Sequence, residues 1–226
     1  MSKDVIFKSP ETDPSALLQE FFETFPLYEA DRERITAAWN FLLERSGEDS
    51  ISCGKPCYLH ALRIAFILAQ NDFDADCIIS GLLHNIYKQN VTKEQIEQKF
   101  GKDVASIIDG TSKIHNIPVN SKTLQQADAI RKMLFAMIDD IRVILVKLAD
   151  RLDRMRNLKA VSEEAQRAVA KEVIDIWCPL ASRLGMSDVK SEMEDLSLKY
   201  SNPDAFQQIK SIVAQKKAER SEYLDK

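Results

Sequence analysis

The chain has 226 residues, a formal net charge of −4 and a pI near 5.5. Its 45% hydrophobic and 29% charged residues are typical of a globular protein with a sizeable core rather than of a disordered one. Six glycines and seven prolines are too few for a turn-rich β-sandwich or barrel. The acidic balance argues against a dedicated nucleic-acid-binding protein, and no apolar stretch is long enough to span a bilayer.

The four cysteines predict reduced thiols in the cytoplasm, since nothing in the sequence indicates secretion. Cys53, Cys57 and His60 have a C-x3-C-x2-H spacing that invites a zinc site. Structural zinc normally takes four ligands, and this motif has no second half. The spacing therefore favours ordinary thiols.

Helical spacing of apolar residues begins near the N-terminus. Asp13 and Pro14 are typical of an N-cap and a first helical residue, and Pro26 ends this helix. An apolar stripe over residues 35–42 predicts a second helix, which Gly47 can end.

The next helices carry two of the histidines. After a polar loop at residues 48–55, a third helix contains His60. Asp74 is a suitable N-cap for a fourth helix, which contains His84.

The middle of the chain alternates short helices and loops. Thr92 and Gln95 form a capping-box pattern at the start of a short helix, and residues 103–114 form another. The stretch 111–122 is loop-like, and a long helix follows over residues 123–138.

The segment from Ile141 to Asp150 is the most hydrophobic of the chain, and its β-branched residues are compatible with a buried strand. Apolar periodicity continues to Leu158, however, and no second strand exists to pair with it. We therefore predict a buried central helix.

The last third of the chain is also helical. Ser162 begins a helix that Pro179 ends or kinks, Gly185 closes the following turn, and Ser187 begins another helix. Residues 203–226 form a last helix and a charged tail, a possible connection to another domain. We predict one all-α domain over residues 1–226, with ten to eleven helices and no sheet.

Chemistry is indicated by three residues that lie on separate helices. A lone histidine such as His60 or His84 in an apolar helix is usually a hydrogen-bonded core residue. Asp150, however, is an acid in the most hydrophobic helix, and a buried carboxylate needs a partner. Two histidines and one aspartate are a ligand set for a metal between helices. The alternative is a salt bridge from Asp150 to a nearby basic residue: Arg131, Arg142 or Lys147.

Residues 35–212 resemble the N-terminal hydrolase domain of the RelA/SpoT-type (p)ppGpp synthetase/hydrolases, which are members of the HD phosphohydrolase superfamily. The resemblance rests on five segments: GKPCYLHALRIAFILA, GLLHN, FGKDVASIIDGTSKI, RKMLFAMIDDIRVILVKLADRLDRMRNL and PLASRLGMSDVKSEMEDLSLKY. It implies an HD-type helical bundle in the cytoplasm and a role in guanosine tetraphosphate metabolism and the stringent response.

The resemblance also implies where a metal, usually manganese, is held. The four positions are His60, His84, Asn85 and Asp150. The family's histidine–aspartate pair is thus His–Asn here, and one anionic ligand is missing.

Other family positions have changed as well. The glutamate–aspartate pair that activates water is replaced by Lys88 and Gln89, and the histidine and asparagine after the last ligand by Asp153 and Arg154. The basic residues that contact the nucleotide ahead of the first histidine are replaced by Ile51 and Ser52.

Helical spacing places Lys88, Gln89 and Arg154 four residues after predicted metal ligands, so that each shares a face with its ligand. If they turn inward with Asp150 and Asp153, the four formal charges sum to −1 −1 +1 +1 = 0. A divalent cation would meet like charges there, and neither lysine nor glutamine is a suitable base at neutral pH. We predict weak or absent metal binding and no useful hydrolysis. Lys88 and Arg154 either extend into solvent or act as counter-ions to Asp150.

Three functions remain open. The first is a regulatory or scaffold domain that contacts the synthetase domain of the same parent chain, a GTP pyrophosphokinase. The second is a weakly active metal-dependent (p)ppGpp 3′-pyrophosphohydrolase. The third is a metal-free guanine-nucleotide-binding module, whose phosphate-binding candidates are Lys88, Arg151 and Arg154.

Overall fold

A computed structural model of the chain describes residues 13–46, 56–115, 135 and 139–224, with their side chains except those of His115 and 217–224. Within these ranges the protein is all-α and contains no β-strand. Eleven α-helical segments, two of them joined through a π-helical turn, agree with the ten to eleven helices predicted. No helix in the described ranges has the length and apolar character needed to cross a membrane.

The chain divides into two compact units. The first comprises Met1–Pro118 with Leu134–Asp153, and the second comprises Val119–Met133 with Arg154–Lys226. We describe each unit by itself. The organisation of residues 1–226 as one domain stays a prediction.

The first unit contains the candidate site. Its described helices are α1 (Pro14–Thr24), α2 (Glu29–Ser46), α3 (Cys57–Gln70), α4 (Ala75–Leu83), α5 (Lys93–Phe100), α6 (Lys102–His115) and, as far as Asp153, α7 (Arg142–Arg156). A 3₁₀-helical turn, Ile86–Gln89, follows α4.

Capping residues place two of these helices as predicted. Asp13 accepts a hydrogen bond from the backbone of Ser15 at the start of α1, and Pro14 is its first residue. Thr92 and Gln95 form the reciprocal capping box of α5. Each cap satisfies backbone N–H groups that have no partner within the helix.

Aromatic contacts join the outer helices of the first unit to α3. Phe21 of α1 packs edge-on against Phe66 of α3, with ring centroids 5.1 Å apart, and Phe25 packs against the same ring at 5.3 Å. From His60 to Ala69 every residue of α3 is buried. A helix that is buried on all sides lies in a core, so α3 is a central helix of this unit.

The segment from Ile141 to Asp150 is helical and buried, as predicted. Residues Val143 to Asp150 of α7 are all buried, including two charged residues, Lys147 and Asp150. At the start of α7, Arg142 contacts four carboxylates, those of Asp74, Asp76, Asp103 and Asp140. These contacts tie the helix that carries Asp150 to the N-terminal ends of α4 and α6.

The structure differs from the prediction at two helix ends. The loop predicted over 111–122 is wrong for 111–115, because α6 continues to His115 and the hydroxyl of Thr111 bonds within the helix to the carbonyl of Ile108. The fourth helix ends at Leu83, so that His84 is its C-cap residue rather than an interior residue. Several predictions lie outside the described residues: Gly47 as a helix end, the loop 48–55 and the helix 123–138.

The second unit contains α8 (Glu163–Glu172), α9 (Cys178–Arg183), α10 (Ser187–Ser201) and α11 (Pro203–Leu224), with a short 3₁₀ turn at Leu158–Ala160. Ser162 caps α8, and Gly185 adopts a positive φ of 73° after α9, as predicted. Pro179 does not end the helix. It follows a π-helical turn, Val173–Trp177, because a proline lacks the N–H for the i→i−4 bond and its ring crowds the carbonyl one turn earlier.

Close packing of α6 and α7 generates the first prediction. A Cβ atom added at Gly110 would lie 2.6 Å from Cγ2 of Val143 and 3.1 Å from its Cγ1. A β-branched side chain in a helix has little rotamer freedom to move away. We expect Gly110→Ala to lower the free energy of unfolding by about 1 to 3 kcal/mol, despite the higher helix propensity of alanine.

The measurement is urea unfolding followed by circular dichroism. In a Val143→Ala background, the added methyl group meets free space, and the cost of Gly110→Ala should shrink or change sign. An equal cost in both backgrounds would show that α6 and α7 do not approach each other at this point.

Candidate metal centre

The centre of the site is His60 of α3, which lies between two carboxylates of α7. Its Nε2 atom is 3.1 Å from Oδ1 of Asp150, and its Nδ1 atom is 2.7 Å from Oδ2 of Asp153. All three side chains are buried. Carboxylate oxygens only accept hydrogen bonds, so both contacts are satisfied only when His60 carries a proton on each nitrogen.

The pKa values of the network agree with this protonation. Burial by itself would lower the pKa of His60, but hydrogen bonds to Asp150 and Asp153 outweigh burial and raise it. Burial by itself would raise the pKa of Asp153. The hydrogen bond from His60 and the charge of Arg63 outweigh burial and keep the pKa of this carboxyl below its usual value. The arrangement favours an imidazolium beside ionised carboxylates.

Two further cations complete the network. Nζ of Lys147 lies 3.1 Å from Oδ2 of Asp150, and Nε of Arg63 donates to Oδ1 of Asp153 at 2.6 Å. Both cationic side chains are buried, at 7% and 10% exposure respectively. We call these five residues the buried charge network: Arg63, Asp153, His60, Asp150 and Lys147.

His84 is the second predicted metal ligand, and its lone pair is also engaged. Its Nδ1 atom donates to the carbonyl of Gly81 at 2.8 Å, which fixes the tautomer with Nε2 as the acceptor. The side-chain amide of Asn85 lies 2.6 Å from that Nε2 atom and donates to it. Burial lowers the pKa of His84 to about 3, so the ring stays neutral.

The structure brings three of the four predicted ligand residues together. One ligand atom from each of His60, His84 and Asp150 lies within 4.8 Å of the other two. The two imidazole rings pack edge-on with centroids 5.2 Å apart. Asn85, the fourth position, lies beside His84. The three side chains thus converge on one point, and their role as metal ligands stays a prediction.

The positions predicted for the catalytic pair lie differently from the expectation. The i, i+4 argument for Lys88 and Gln89 assumed one continuous α-helix, whereas α4 ends at Leu83 and a 3₁₀ turn holds these residues. A 3₁₀ helix has three residues per turn, so residues four apart do not share a face. Lys88 is exposed, which agrees with the solvent-facing alternative, and Gln89 is half-buried.

The charge sum of the sequence analysis consequently needs correction. The sum left out Lys147, which contacts Asp150, and Arg63, which contacts Asp153, whereas Lys88, which it included, is exposed. Arg151 and Arg154 are half-buried, and Arg142 contacts other carboxylates. Ile51, Ser52, Cys53 and Arg131 lie outside the described residues. Cys57 is a half-buried free thiol, and Cys77 and Cys178 are buried free thiols.

Arg63 is the residue that the sequence analysis missed. The signal was available, because a basic residue one turn after His60 lies in a helix that is otherwise apolar. The criterion that singled out Asp150, a charge in a buried helix, applies equally to Arg63.

The network does not fit a divalent cation in this arrangement. An imidazolium has no lone pair to bind metal, and the lone pair of His84 already accepts a hydrogen bond. The formal charges of Asp150, Asp153, Lys147 and Arg63 sum to −1 −1 +1 +1 = 0, and a protonated His60 adds +1. A metal site normally supplies net negative charge and neutral imidazoles. Weak or absent metal binding stays a prediction.

The pKa values of the two histidines are expected to be shifted in opposite directions from the ordinary value of 6.5. Imidazole signals in ¹⁵N–¹H NMR spectra should give His60 a pKa above 6.5, while His84 stays neutral throughout the range in which an exposed histidine titrates. His60→Gln and His84→Gln assign the signals. A neutral His60 at pH 6 would contradict the proposed protonation of the network.

The fold should consequently lose stability on both sides of pH 6.5. A raised pKa at His60 stabilises the fold fully below 6.5, and this contribution disappears as pH rises through the folded-state value. A pKa of about 3 at His84 destabilises the fold progressively as pH falls from 6.5 towards 3. The measurement is the free energy of unfolding in urea as a function of pH. His60→Gln should remove the contribution that is lost as pH rises above 6.5, and His84→Gln should remove the contribution of His84 to the loss as pH falls below 6.5.

Comparison with known proteins identifies the family. A model of the HD domain matches residues 38–187. The chain is 40% identical over 192 residues to a probable guanosine-3′,5′-bis(diphosphate) 3′-pyrophosphohydrolase of Synechocystis sp., covering 84% of this chain and 25% of that protein. It is 37% identical over 200 residues to the guanosine-3′,5′-bis(diphosphate) 3′-pyrophosphohydrolase of Aquifex aeolicus, covering 88% of this chain and 28% of that protein.

A third relative is named for a kinase activity rather than for hydrolysis. The GTP pyrophosphokinase of Myxococcus xanthus is 42% identical over 176 residues, covering 76% of this chain and 23% of that protein. The chain thus spans about a quarter of the length of the curated relatives it matches. With the all-α fold and the convergence of His60, His84 and Asp150, these matches show that the chain belongs to the HD domain family, as the HD domain of RelA/SpoT-type proteins of (p)ppGpp metabolism.

Proposed function

We propose that this chain is a pseudo-hydrolase, an HD domain whose hydrolytic centre is inactive and which regulates the (p)ppGpp synthetase domain of its parent polypeptide. The observation that carries the proposal is that protein groups already occupy the predicted metal ligands. Asn85 donates to His84, both ring nitrogens of His60 contact carboxylates, and Lys147 pairs with Asp150. A proton and an amide thus satisfy groups that a metal would otherwise bind.

The groups at the expected base positions also support the proposal. The family resemblance implies a glutamate–aspartate pair where this chain has Lys88 and Gln89. The amide of Gln89 accepts no proton at neutral pH, and a lysine ammonium group only donates hydrogen bonds. Neither side chain activates a water molecule.

The partner in the proposal is a synthetase domain of the same chain. The relatives are named both for hydrolysis of guanosine bis(diphosphate) and for GTP pyrophosphokinase activity, and each is about four times as long as the stretch matched here. A domain that has lost its chemistry but kept its core can still present surfaces to a neighbouring domain. Restraint of synthesis through such contacts is the proposed activity.

A direct test measures metal content and hydrolysis on one preparation. After purification in manganese-containing buffer, we expect far less than one ion per chain, because the buried charge network carries no net negative charge to attract a cation, and no release of pyrophosphate from ppGpp. The pyrophosphohydrolase of Aquifex aeolicus, treated identically, is the positive control. Near-stoichiometric manganese together with ppGpp hydrolysis would overturn the proposal.

A second candidate function is that of a weakly active metal-dependent (p)ppGpp 3′-pyrophosphohydrolase. The observation in its favour is the convergence of His60, His84 and Asp150 within 4.8 Å. Asp153 on Nδ1 of His60 also resembles the carboxylate–histidine pairs that orient metal ligands. Deprotonation of His60 would give such a site one ligand nitrogen, Nε2 of His60, and the second would be Nε2 of His84 after release of its hydrogen bond from Asn85. The same preparation distinguishes the two functions, and saturable metal-independent binding of ppGpp would instead indicate a nucleotide-binding module.

Restoration of the family residues provides a further prediction. We expect Asn85→Asp, Lys88→Glu, Gln89→Asp, Asp153→His and Arg154→Asn together to create manganese binding, because they restore one anionic ligand, add two further carboxylates and remove two cations, against the loss of one carboxylate at position 153. Metal content per chain and thermal unfolding with and without Mn²⁺ are the measurements.

The single variant Lys88→Glu is the matched control, since Lys88 is exposed and its replacement alone adds no ligand. A quintuple variant that folds, as judged by circular dichroism, but takes up no metal would show that the hydrolytic centre does not lie at His60, His84 and Asp150.

A further inference from the structure

Arg63 occupies an unusual place for an arginine. It lies in the middle of the run His60–Ala69, every residue of which is buried. Its Nε atom donates to Asp153, which is 1% exposed, while its buried Nη2 atom has no hydrogen-bond partner. The guanidinium of Arg63 thus makes a short hydrogen bond through Nε and leaves the buried donor Nη2 without an acceptor.

Stability alone does not account for such a residue. A buried ion pair is often no more stable than apolar side chains of the same volume. A buried donor without a partner adds a further desolvation cost. A methionine at position 63 with an asparagine at position 153 would remove the buried ion pair and still leave an amide oxygen to accept from Nδ1 of His60, so the ion pair points to a role other than stability.

The position of Asp153 indicates what Arg63 does. Asp153 contacts Nδ1 of His60, on the side of the ring opposite to the atom that faces Asp150. A carboxylate at this place makes the far nitrogen of the histidine a better metal ligand and adds negative charge to the centre. Asp153 alone would thus favour a divalent cation, and the guanidinium of Arg63 cancels its charge.

We propose that Arg63 is the residue that excludes divalent metal from this centre, by neutralising Asp153 within the buried charge network. The inference rests on the proposed function, since it explains how the pseudo-hydrolase stays metal-free. Arg63 bonds to Asp153 rather than to a predicted ligand, whereas Lys147 contacts the ligand Asp150 itself. The charge of Arg63 can therefore be removed without altering a ligand.

The test is manganese affinity at one fixed pH, measured from the electron paramagnetic resonance signal of free Mn²⁺ during titration of the 226-residue chain. We expect Arg63→Met to bind Mn²⁺ about tenfold or more tightly than the unaltered chain, because it removes one buried positive charge near the ion. The double variant Arg63→Met with Asp153→Asn has the same net charge as the unaltered chain, and its Mn²⁺ affinity should return to the original weak level. Arg167→Met removes the same charge from an exposed position and should change nothing.

The outcomes separate the inference from the proposed function. If the unaltered chain binds Mn²⁺ weakly and Arg63→Met binds it no more tightly, the inference is overturned and the proposed function stands. If the double variant keeps the tight binding, charge neutralisation is overturned as the cause. Stoichiometric binding by the unaltered chain would instead overturn the proposed function.

A second variant covers the case in which Arg63→Met does not fold. Arg63→Gln removes the same charge but keeps a side-chain amide that can donate to Asp153, and we expect the same gain in Mn²⁺ affinity. The midpoint temperature of thermal unfolding should rise on addition of Mn²⁺ for this variant and not for the unaltered chain, a response that a merely structural role of Arg63 would not produce. An unchanged affinity in Arg63→Gln would overturn the inference.

Discussion

Two buried carboxylates, those of Asp150 and Asp153, are the constraint on which the centre of the first unit depends. They lie three residues apart on α7 and therefore on one face of it. His60 and Arg63 have the same spacing on α3, so that acids and bases of the two helices interlock. Since an unpaired charge in a core costs several kcal/mol, these bonds fix the position of α3 against α7.

The same constraint explains why ligand residues can persist without a metal. Buried polar groups need hydrogen-bond partners whether or not an ion is bound. In the proposed pseudo-hydrolase, His60 and Asp150 satisfy each other, and Asn85 satisfies His84. These residues are thus part of the core, where their replacement would cost stability whether or not an ion is bound.

Much of the fold followed from local patterns in the sequence. Caps such as Asp13 and Thr92 and the apolar periodicity of α7 predicted helices that the structure contains. The break after Leu83 was missed because residues 84–89 contain no glycine or proline to mark a helix end, and the 3₁₀ turn there depends on hydrogen bonds rather than composition. That single break turns Lys88 towards solvent and removes it from the site.

By itself, the sequence determined the all-α fold, the family and the three residues that converge, because helix formation and ligand type are local properties of the chain. The partner of Asp153 was decided by tertiary structure alone. Lys147, three residues from Asp150 on the same helix, was one of three candidates for that acid, whereas Arg63 was not considered. The pairing of Arg63 with Asp153 depends on the packing of two helices whose contacting residues are 90 apart in sequence, and no local pattern records that register.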